Sequence, residues 1–324
     1  MKAHRVTLRQ LGGPEVIEWE EVELPPPGRG EVIVEHEAIG LNFIDIYHRS
    51  GVYPIDLPGL LGLEAVGRVV AAGEASGWRA GDRVATFGPH RGAYATARVV
   101  AGNSLLAVPE GIGSETAAAV LLKGCTTEFM VERCARVEAG WDVLVHAAAG
   151  GVGTLLVQWL KAIGARVIGT VGSDEKAAIA RASGADEVIV YTREEVAQRV
   201  RALTGGGGVR ATFDGVGRDA WAASLASTAR RGLVVSYGNA SGPVTDVALG
   251  SLATAGSVFV TRPTLFDYYV TPEERKAGSD RLWAMLASGA ITPEVGARYA
   301  LADAAQAHRN LEARKTTGSV LLIP

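Results

Sequence analysis

Val143-Leu144-Val145-His146-Ala147-Ala148-Ala149-Gly150-Gly151-Val152-Gly153 runs directly into Thr154-Leu155-Leu156-Val157-Gln158-Trp159-Leu160. The apolar start predicts a strand, the small residues a tight turn, and the continuation a helix. A dinucleotide-binding turn wants small residues at i, i+2 and i+5. Ala148, Gly150 and Gly153 stand there, with alanine replacing the first glycine. Gly150 lets a pyrophosphate approach the backbone, and Gly153 lets the helix pack close to the strand. Ala149, Gly151 and Val152 complete the turn, where free N–H groups and the positive end of the helix dipole face phosphates. An ordinary strand–helix turn satisfies the same motif taken alone. Context favours the nucleotide, because 165–171 reads as a second strand at βαβ spacing.

The end of that second strand selects the cofactor. An NAD site places Asp or Glu about 20 residues past the glycines, on the ribose hydroxyls. Gly172 and Ser173 occupy that place, and Lys176 follows. A hydroxyl and an ammonium suit a 2′-phosphate, so NADPH is the expected cofactor. Ser173 as a helix N-cap and Lys176 as a solvated charge is a compatible structural reading. Asp174 and Glu175 count the other way: either one on the ribose favours NADH.

The chain has 324 residues, 48% apolar and 21% charged, with a formal net charge of -3. That length exceeds a comfortable single core and predicts two domains. No long basic block occurs, which argues against nucleic-acid binding. Arg199, Arg201, Arg230 and Arg231 read as solvated faces. The apolar runs are too short for a membrane span. Met1-Lys2-Ala3-His4-Arg5 leads into a strand pattern rather than a signal peptide's apolar segment. Cys125 and Cys134 supply neither a disulfide framework nor a four-thiolate zinc site. A cytoplasmic location is expected.

Residues 1 to about 120 read mainly as strands and turns, with strand patterns at 5–8, 16–19, 31–38, 64–72, 82–87 and 92–100. A short helix is expected at 43–49. His36 falls on the polar face of an alternating strand and is expected to be exposed. Residues 116–136 form a long, mostly apolar helical stretch, interrupted at Gly124. Then β and α patterns alternate at 142–146, 152–163, 166–171, 174–183, 187–190, 193–203 and 209–213. This predicts an α/β fold with a Rossmann-type, doubly wound parallel sheet, which 232–237 and 257–261 complete. Gly205-Gly206-Gly207-Gly208 lacks the Lys-Ser/Thr of a phosphate loop and reads as a surface connection. The tail holds helix patterns at 272–288 and 303–313 and a last strand at 319–323.

Further segments carry a resemblance. They include Gly12-Gly13-Pro14-Glu15, Gly40-Leu41-Asn42-Phe43-Ile44-Asp45, Arg49-Ser50-Gly51-Val52-Tyr53-Pro54 and Ala80-Gly81-Asp82-Arg83-Val84. Leu122-Lys123-Gly124, Asp214-Gly215-Val216-Gly217, Gly238-Asn239-Ala240-Ser241-Gly242, Thr261-Arg262-Pro263 and Thr317-Gly318-Ser319 add to them. Nearly end to end, the chain resembles the zinc-free quinone oxidoreductases of the medium-chain dehydrogenase/reductase superfamily, the zeta-crystallin-like group. The resemblance implies a GroES-like, mainly-β domain at 1–123 and 266–324, enclosing a Rossmann NADPH domain at 124–265. It also implies a homodimer and a cofactor in the interdomain cleft. Around that cofactor it places Tyr191, Asn239, Arg262 and Arg314, and Val216, Tyr237 and Gly238 join them from the quoted segments and their borders.

The departures from the alcohol dehydrogenase branch matter equally. Asn42 stands where that branch has a zinc-ligand cysteine, and Gly62-Leu63-Glu64 replaces its Gly-His-Glu. No three-ligand set for a catalytic metal can be assembled, so no metal is expected. Glu64 reads as a buried, hydrogen-bonded structural carboxylate. Without a Lewis acid, a quinone or activated alkene is the expected acceptor, helped by weaker donors. The candidates are Asn42, Tyr47, Tyr53 and Lys123. The resemblance puts Asn42, Tyr47 and Lys123 near the nicotinamide, and a packing role is the rival for each. Cys125 reads as a small core residue. The expected activity is NADPH-dependent quinone reduction. An enoyl or alkenal reductase on the same fold is the alternative, kept open by Tyr53 eleven residues after Asn42. A non-catalytic NADPH-binding protein is the alternative from another class.

Overall fold

The structure is a computed structural model that describes every residue except Pro89. In chain order it forms β1 (Lys2–Leu8), β2 (Ile17–Glu23), β3 (Glu31–Leu41), α1 (Phe43–Ser50), β4 (Gly59–Leu60), β5 (Glu64–Ala72), β6 (Arg83–Phe87), β7 (Ala97–Ala101), β8 (Leu105–Ala107) and α2 (Ser114–Glu128). There follow β9 (Asp142–Val145), α3 (Gly151–Ala162), β10 (Arg166–Val171), α4 (Asp174–Ala182), β11 (Glu187–Val190), α5 (Val196–Leu203), β12 (Val209–Asp214) and α6 (Trp221–Ser227). The chain ends with β13 (Thr228–Ser236), α7 (Leu249–Thr254), β14 (Phe259–Thr261), α8 (Pro272–Ala287), β15 (Val295–Ala300), α9 (Ala304–Glu312) and β16 (Ser319–Ile323). Two compact units result: Met1–Leu122 with Val270–Asp280 and Pro293–Pro324, and Lys123–Tyr269 with Arg281–Thr292.

In the first unit, β1 pairs with β2 and β4, and a larger sheet has the order β15-β16-β3-β5-β6-β8 with β7 also on β3. Val6, Leu8, Ile39, Leu41, Leu61, Tyr94, Leu322 and neighbours fill its core. β3 is hydrogen-bonded along both edges, and bulges against β5 fall at Ile33/Val34 and His36/Ala38. The expectation for His36 is corrected: period 2 puts it on the same face as Val32, Val34 and Ala38, and it is buried with them, Nδ1 2.8 Å from the Ala95 carbonyl. Burial pushes its pKa down to about 3.

The second unit holds a fully parallel sheet with the order β11-β10-β9-β12-β13-β14. Val143 pairs with Val167 on one side and Ala211 on the other. β9 is wholly apolar at Val143, Leu144 and Val145 because a sheet covered by helices buries both faces. Two helical expectations change. α2 runs without interruption through Gly124 and continues as a π-helical turn, Phe129–Cys134. Glycine costs a helix about 1 kcal/mol, and complete burial of Ala117 to Leu121 outweighs it. α5 begins at Val196 rather than 193. Arg201 is no solvated charge either: its guanidinium donates to the carbonyls of Ala226, Thr228 and Gly206.

Candidate functional site

In the first unit, β3 delivers the chain to α1. Asn42 is the N-cap in an extended conformation, and its backbone N–H donates to Asp45 Oδ2 at 2.9 Å. Asn42 and Asp45 form a capping box. The other end of the Asn42 amide reaches further: Nδ2 donates to Glu64 Oε1 at 2.8 Å. Glu64 is fully buried, and its other oxygen accepts the Leu122 N–H at 2.7 Å. Gly40 makes this possible, since a Cβ there would overlap the Glu64 carboxylate. Phe43 and Tyr47 share a face of α1, with ring centroids 6.3 Å apart. Gly51 ends the helix in the left-handed region at φ 81°. The chain then folds back so that Tyr53 N–H donates to Tyr47 O at 3.0 Å and the two rings meet edge-on at 5.2 Å. Asn42, Tyr47 and Tyr53 therefore come together.

In the second unit, the turn after β9 has its positive φ at Ala147 (52°), while Gly150 caps α3 with φ -82° and ψ 169°. Thr154 makes the first bond of α3 back to Gly150 O, at 2.9 Å. The N–H groups of Gly151, Val152 and Gly153 precede it and lie at the open helix end. Ala149 is buried in the turn. A Cβ on Gly153 would overlap the Ala147 carbonyl oxygen, which is the close helix–strand approach the motif requires.

After β10, Ser173 caps α4, its Oγ accepting the Lys176 N–H at 3.4 Å. Both acids beside it are engaged. Asp174 binds Arg193 through two bonds of 2.6 and 2.8 Å, and Glu175 accepts from Ser173 Oγ at 3.2 Å. Its hydrogen bonds to Arg193 hold the Asp174 carboxyl below its ordinary range. Tyr191, after β11, lays its hydroxyl end over Gly172.

After β12, Asp214 accepts the Val216 and Gly217 N–H groups at 2.8 and 2.9 Å and the Ser224 hydroxyl at 2.7 Å. Tyr237 covers Gly215. Arg262, at the end of β14, donates to Ser236 O at 2.8 Å and Gly238 O at 3.0 Å. With its amide oriented to satisfy both neighbours, Asn239 accepts from Arg262 Nη2 at 3.0 Å and donates to Gly238 O. All these residues follow the carboxyl ends of parallel strands, so they line one edge of the sheet, where α/β folds bind ligands. Lys123, on α2, is buried, its carbonyl accepting the Thr127 hydroxyl at 3.0 Å. Arg314 belongs to the first unit, just past α9.

Two residues at this edge had no assigned role from sequence. Asp214 shapes the loop that carries Val216, and the Asp-Gly-x-Gly spacing after a strand was its only signal. His146 is buried, with Nδ1 2.9 Å from Thr170 Oγ1 and no hydrogen-bond partner for Nε2 among the described residues. Burial lowers its pKa against the opposing charge of Asp214, so the ring is neutral.

Among the described residues, no three His, Cys, Asp or Glu side chains gather as a metal-ligand set. No described helix is long and apolar enough to cross a membrane.

Comparison with known proteins follows the same division. The alcohol dehydrogenase GroES-like domain matches residues 28–138, and the zinc-binding dehydrogenase domain matches 151–275. A quinone oxidoreductase of Pseudomonas aeruginosa is 49% identical, covering 99% of this chain and 100% of its own length. The Escherichia coli quinone oxidoreductase, solved in complex with NADPH, superposes with a TM-score of 0.96 at 44% identity, over 99% of this chain and 100% of that one. A 2-haloacrylate reductase of a Burkholderia species is 37% identical over 98% of each chain. With this full-length identity and both domain matches, the chain belongs to the quinone oxidoreductase family of the medium-chain dehydrogenase/reductase superfamily.

Proposed function

We propose that the protein is an NADPH-dependent, zinc-independent quinone reductase. The observation that carries this reading is the sheet edge of the second unit. There a glycine turn opens α3, and Ser173 and Lys176 stand in place of a ribose-binding acid. Of the two acids beside that point, Asp174 is occupied by Arg193 and Glu175 by the Ser173 hydroxyl. The relative solved with NADPH supports the same cofactor.

The residues present fit the dinucleotide. The N–H groups of Gly151, Val152 and Gly153 hold the pyrophosphate, and the Ser173 hydroxyl and Lys176 ammonium hold the 2′-phosphate. Tyr191 covers the adenosine end, while Val216, Tyr237, Gly238 and Asn239 line the approach to the nicotinamide. Arg262 keeps Gly238 and Asn239 in place, and Arg314 adds a cation for the phosphates. When bound, NADPH supplies the hydride. Asn42, Tyr47 and Lys123 orient the acceptor, and Tyr47 and Lys123 donate hydrogen bonds to its carbonyl oxygens as negative charge grows there. With its amide committed to Glu64 and no histidine at Leu63, Asn42 shapes this site without holding a metal.

The protein works as a cytoplasmic homodimer in this reading. β14 is an edge strand whose Phe259 is 64% exposed, and pairing with a second copy would cover it.

An acceptor panel of quinones, 2-enals and enoyl thioesters, each with NADPH and NADH, tests the function. Quinones should turn over fastest and NADPH should be preferred. Lys176→Ala should raise the Michaelis constant for NADPH far more than for NADH. The Tyr53 hydroxyl beside Tyr47 and the 2-haloacrylate reductase relative favour activated alkenes as the second reading. Alkenes turning over tenfold or more faster than any quinone, about 1.4 kcal/mol in barrier, would make that reading the better one.

A further inference from the structure

α1 carries three more buried polar residues, Asp45, His48 and Arg49, that bind nothing in the proposed chemistry, and two of them, Asp45 and Arg49, end one hydrogen-bond chain. Arg49 is 1% exposed. Its Nε donates to Gly12 O at 3.1 Å, and its Nη atoms donate to both Glu312 oxygens at 2.6 and 3.1 Å. Nη1 also lies 3.1 Å from His308 Nδ1. A guanidinium has no acceptor, so His308 Nδ1 must accept. The single proton of the neutral ring is then on Nε2. Nε2 faces the Tyr94 hydroxyl oxygen at 3.1 Å and donates to it. The Tyr94 proton is thereby left for Asp45 Oδ2, also at 3.1 Å. That same oxygen accepts the Asn42 N–H that starts α1.

Every bond in this chain runs one way: Arg49 to His308, His308 to Tyr94, Tyr94 to Asp45. Tyr94 and His308 are fully buried. Burial and the Arg49 charge push the His308 pKa down to about 3, so the ring stays neutral. Burial and Asp45 push the Tyr94 pKa well above its ordinary value, so it keeps its proton. Buried polar groups like these are a poor source of net stability compared with apolar packing. What they provide is a single arrangement of donors and acceptors.

We propose that Arg49, His308 and Tyr94 are positioning residues for quinone reduction: their one-way hydrogen-bond chain locks Asp45 and the first turn of α1, so that Asn42 and Tyr47 meet the acceptor in one orientation. This rests on the proposed roles of Asn42 and Tyr47.

Tyr94→Phe tests it, because it removes one hydroxyl and keeps the ring that packs 5.8 Å from His308. The wild type, Tyr94→Phe, Tyr47→Phe and the double variant are compared for quinone kcat and KM, NADPH Kd and Tm. Tyr94→Phe should lower quinone kcat/KM about tenfold. NADPH affinity should be unchanged, since the residues proposed to hold its phosphates on the second unit are untouched. The double variant should lose less than the product of the two single losses, because part of the relay's effect acts through the hydroxyl already lost. A Tm loss with unaltered quinone kcat/KM, or effects that multiply in full, would overturn the proposal. Should Tyr94→Phe not fold, Glu312→Gln at the half-exposed end of the chain replaces it with the same outcomes. If the wild type reduces no quinone, the functional reading fails separately. Hydrogen exchange at residues 43–50 then decides the relay: faster exchange there than in the sheets upholds it, and unchanged exchange refutes it.

Discussion

Gly153→Ala should damage both the stability of the second unit and its grip on NADPH. A Cβ at this position overlaps the Ala147 carbonyl oxygen and lies 2.9 Å from Ala148 Cα and C. These are backbone atoms with little freedom. Ala147 O already accepts the Gly150 N–H at 2.9 Å, and the buried Ala148 donates its N–H to Thr170 O at 3.1 Å. The start of α3 must therefore move, by roughly 0.5–1 Å, and such overpacking costs about 1–3 kcal/mol. Tm should fall by at least about 2 °C per kcal/mol. The N–H groups proposed to hold the pyrophosphate move with the helix, so NADPH affinity should fall about 10- to 100-fold. Gly150→Ala is the control. Its Cβ would meet only Ala147 O, at 3.2 Å, in a backbone conformation open to any residue. It should keep Tm and lose affinity, because the new methyl occupies the pyrophosphate's approach. Thermal melts of the cofactor-free variants and NADPH fluorescence titrations measure both effects. A Gly153→Ala protein with wild-type Tm and wild-type NADPH affinity would refute the reasoning.

Stability should decline on mild acidification. Burial holds His36 and His308 at about 3 and His48 at about 4, all below the ordinary 6.5. Below pH 6.5 the unfolded chain binds protons that the folded chain refuses, so stability is full above that pH. It is lost as pH falls toward the folded values, by up to about 1.4 kcal/mol per pH unit for each histidine. Urea unfolding at pH 7.0 and pH 5.5 should show this, and equal midpoints would contradict it. Phe259→Lys should convert the proposed homodimer to monomer by placing a charge on the exposed edge of β14. Sedimentation that finds a wild-type monomer at micromolar concentration removes that assembly.

The alternation of β and α after residue 141 was legible because periodicity is local. β10, β11 and β16 span 166–171, 187–190 and 319–323, the bounds their patterns predict. The turn at 147–153 was equally plain, since only small residues fit it. The order of the strands and the partners of the polar side chains were not readable this way. His36 was expected on the polar face, but it shares the inward face of Val32, Val34 and Ala38, and its imidazole meets the Ala95 carbonyl fifty-nine positions away. Gly124 looked like a break, yet burial of the flanking residues carries α2 through it. Asp174 was a candidate for the ribose until Arg193, nineteen residues on, was found holding it. The amide of Asn42 meets Glu64, twenty-two positions away, and the relay from Arg49 draws on residues 94, 308 and 312. Side-chain period and turn chemistry follow from each residue and its near neighbours. Which buried donor meets which acceptor is decided only when distant strands and helices pack, because an unpaired polar group is costly and the fold determines who is close enough to pair.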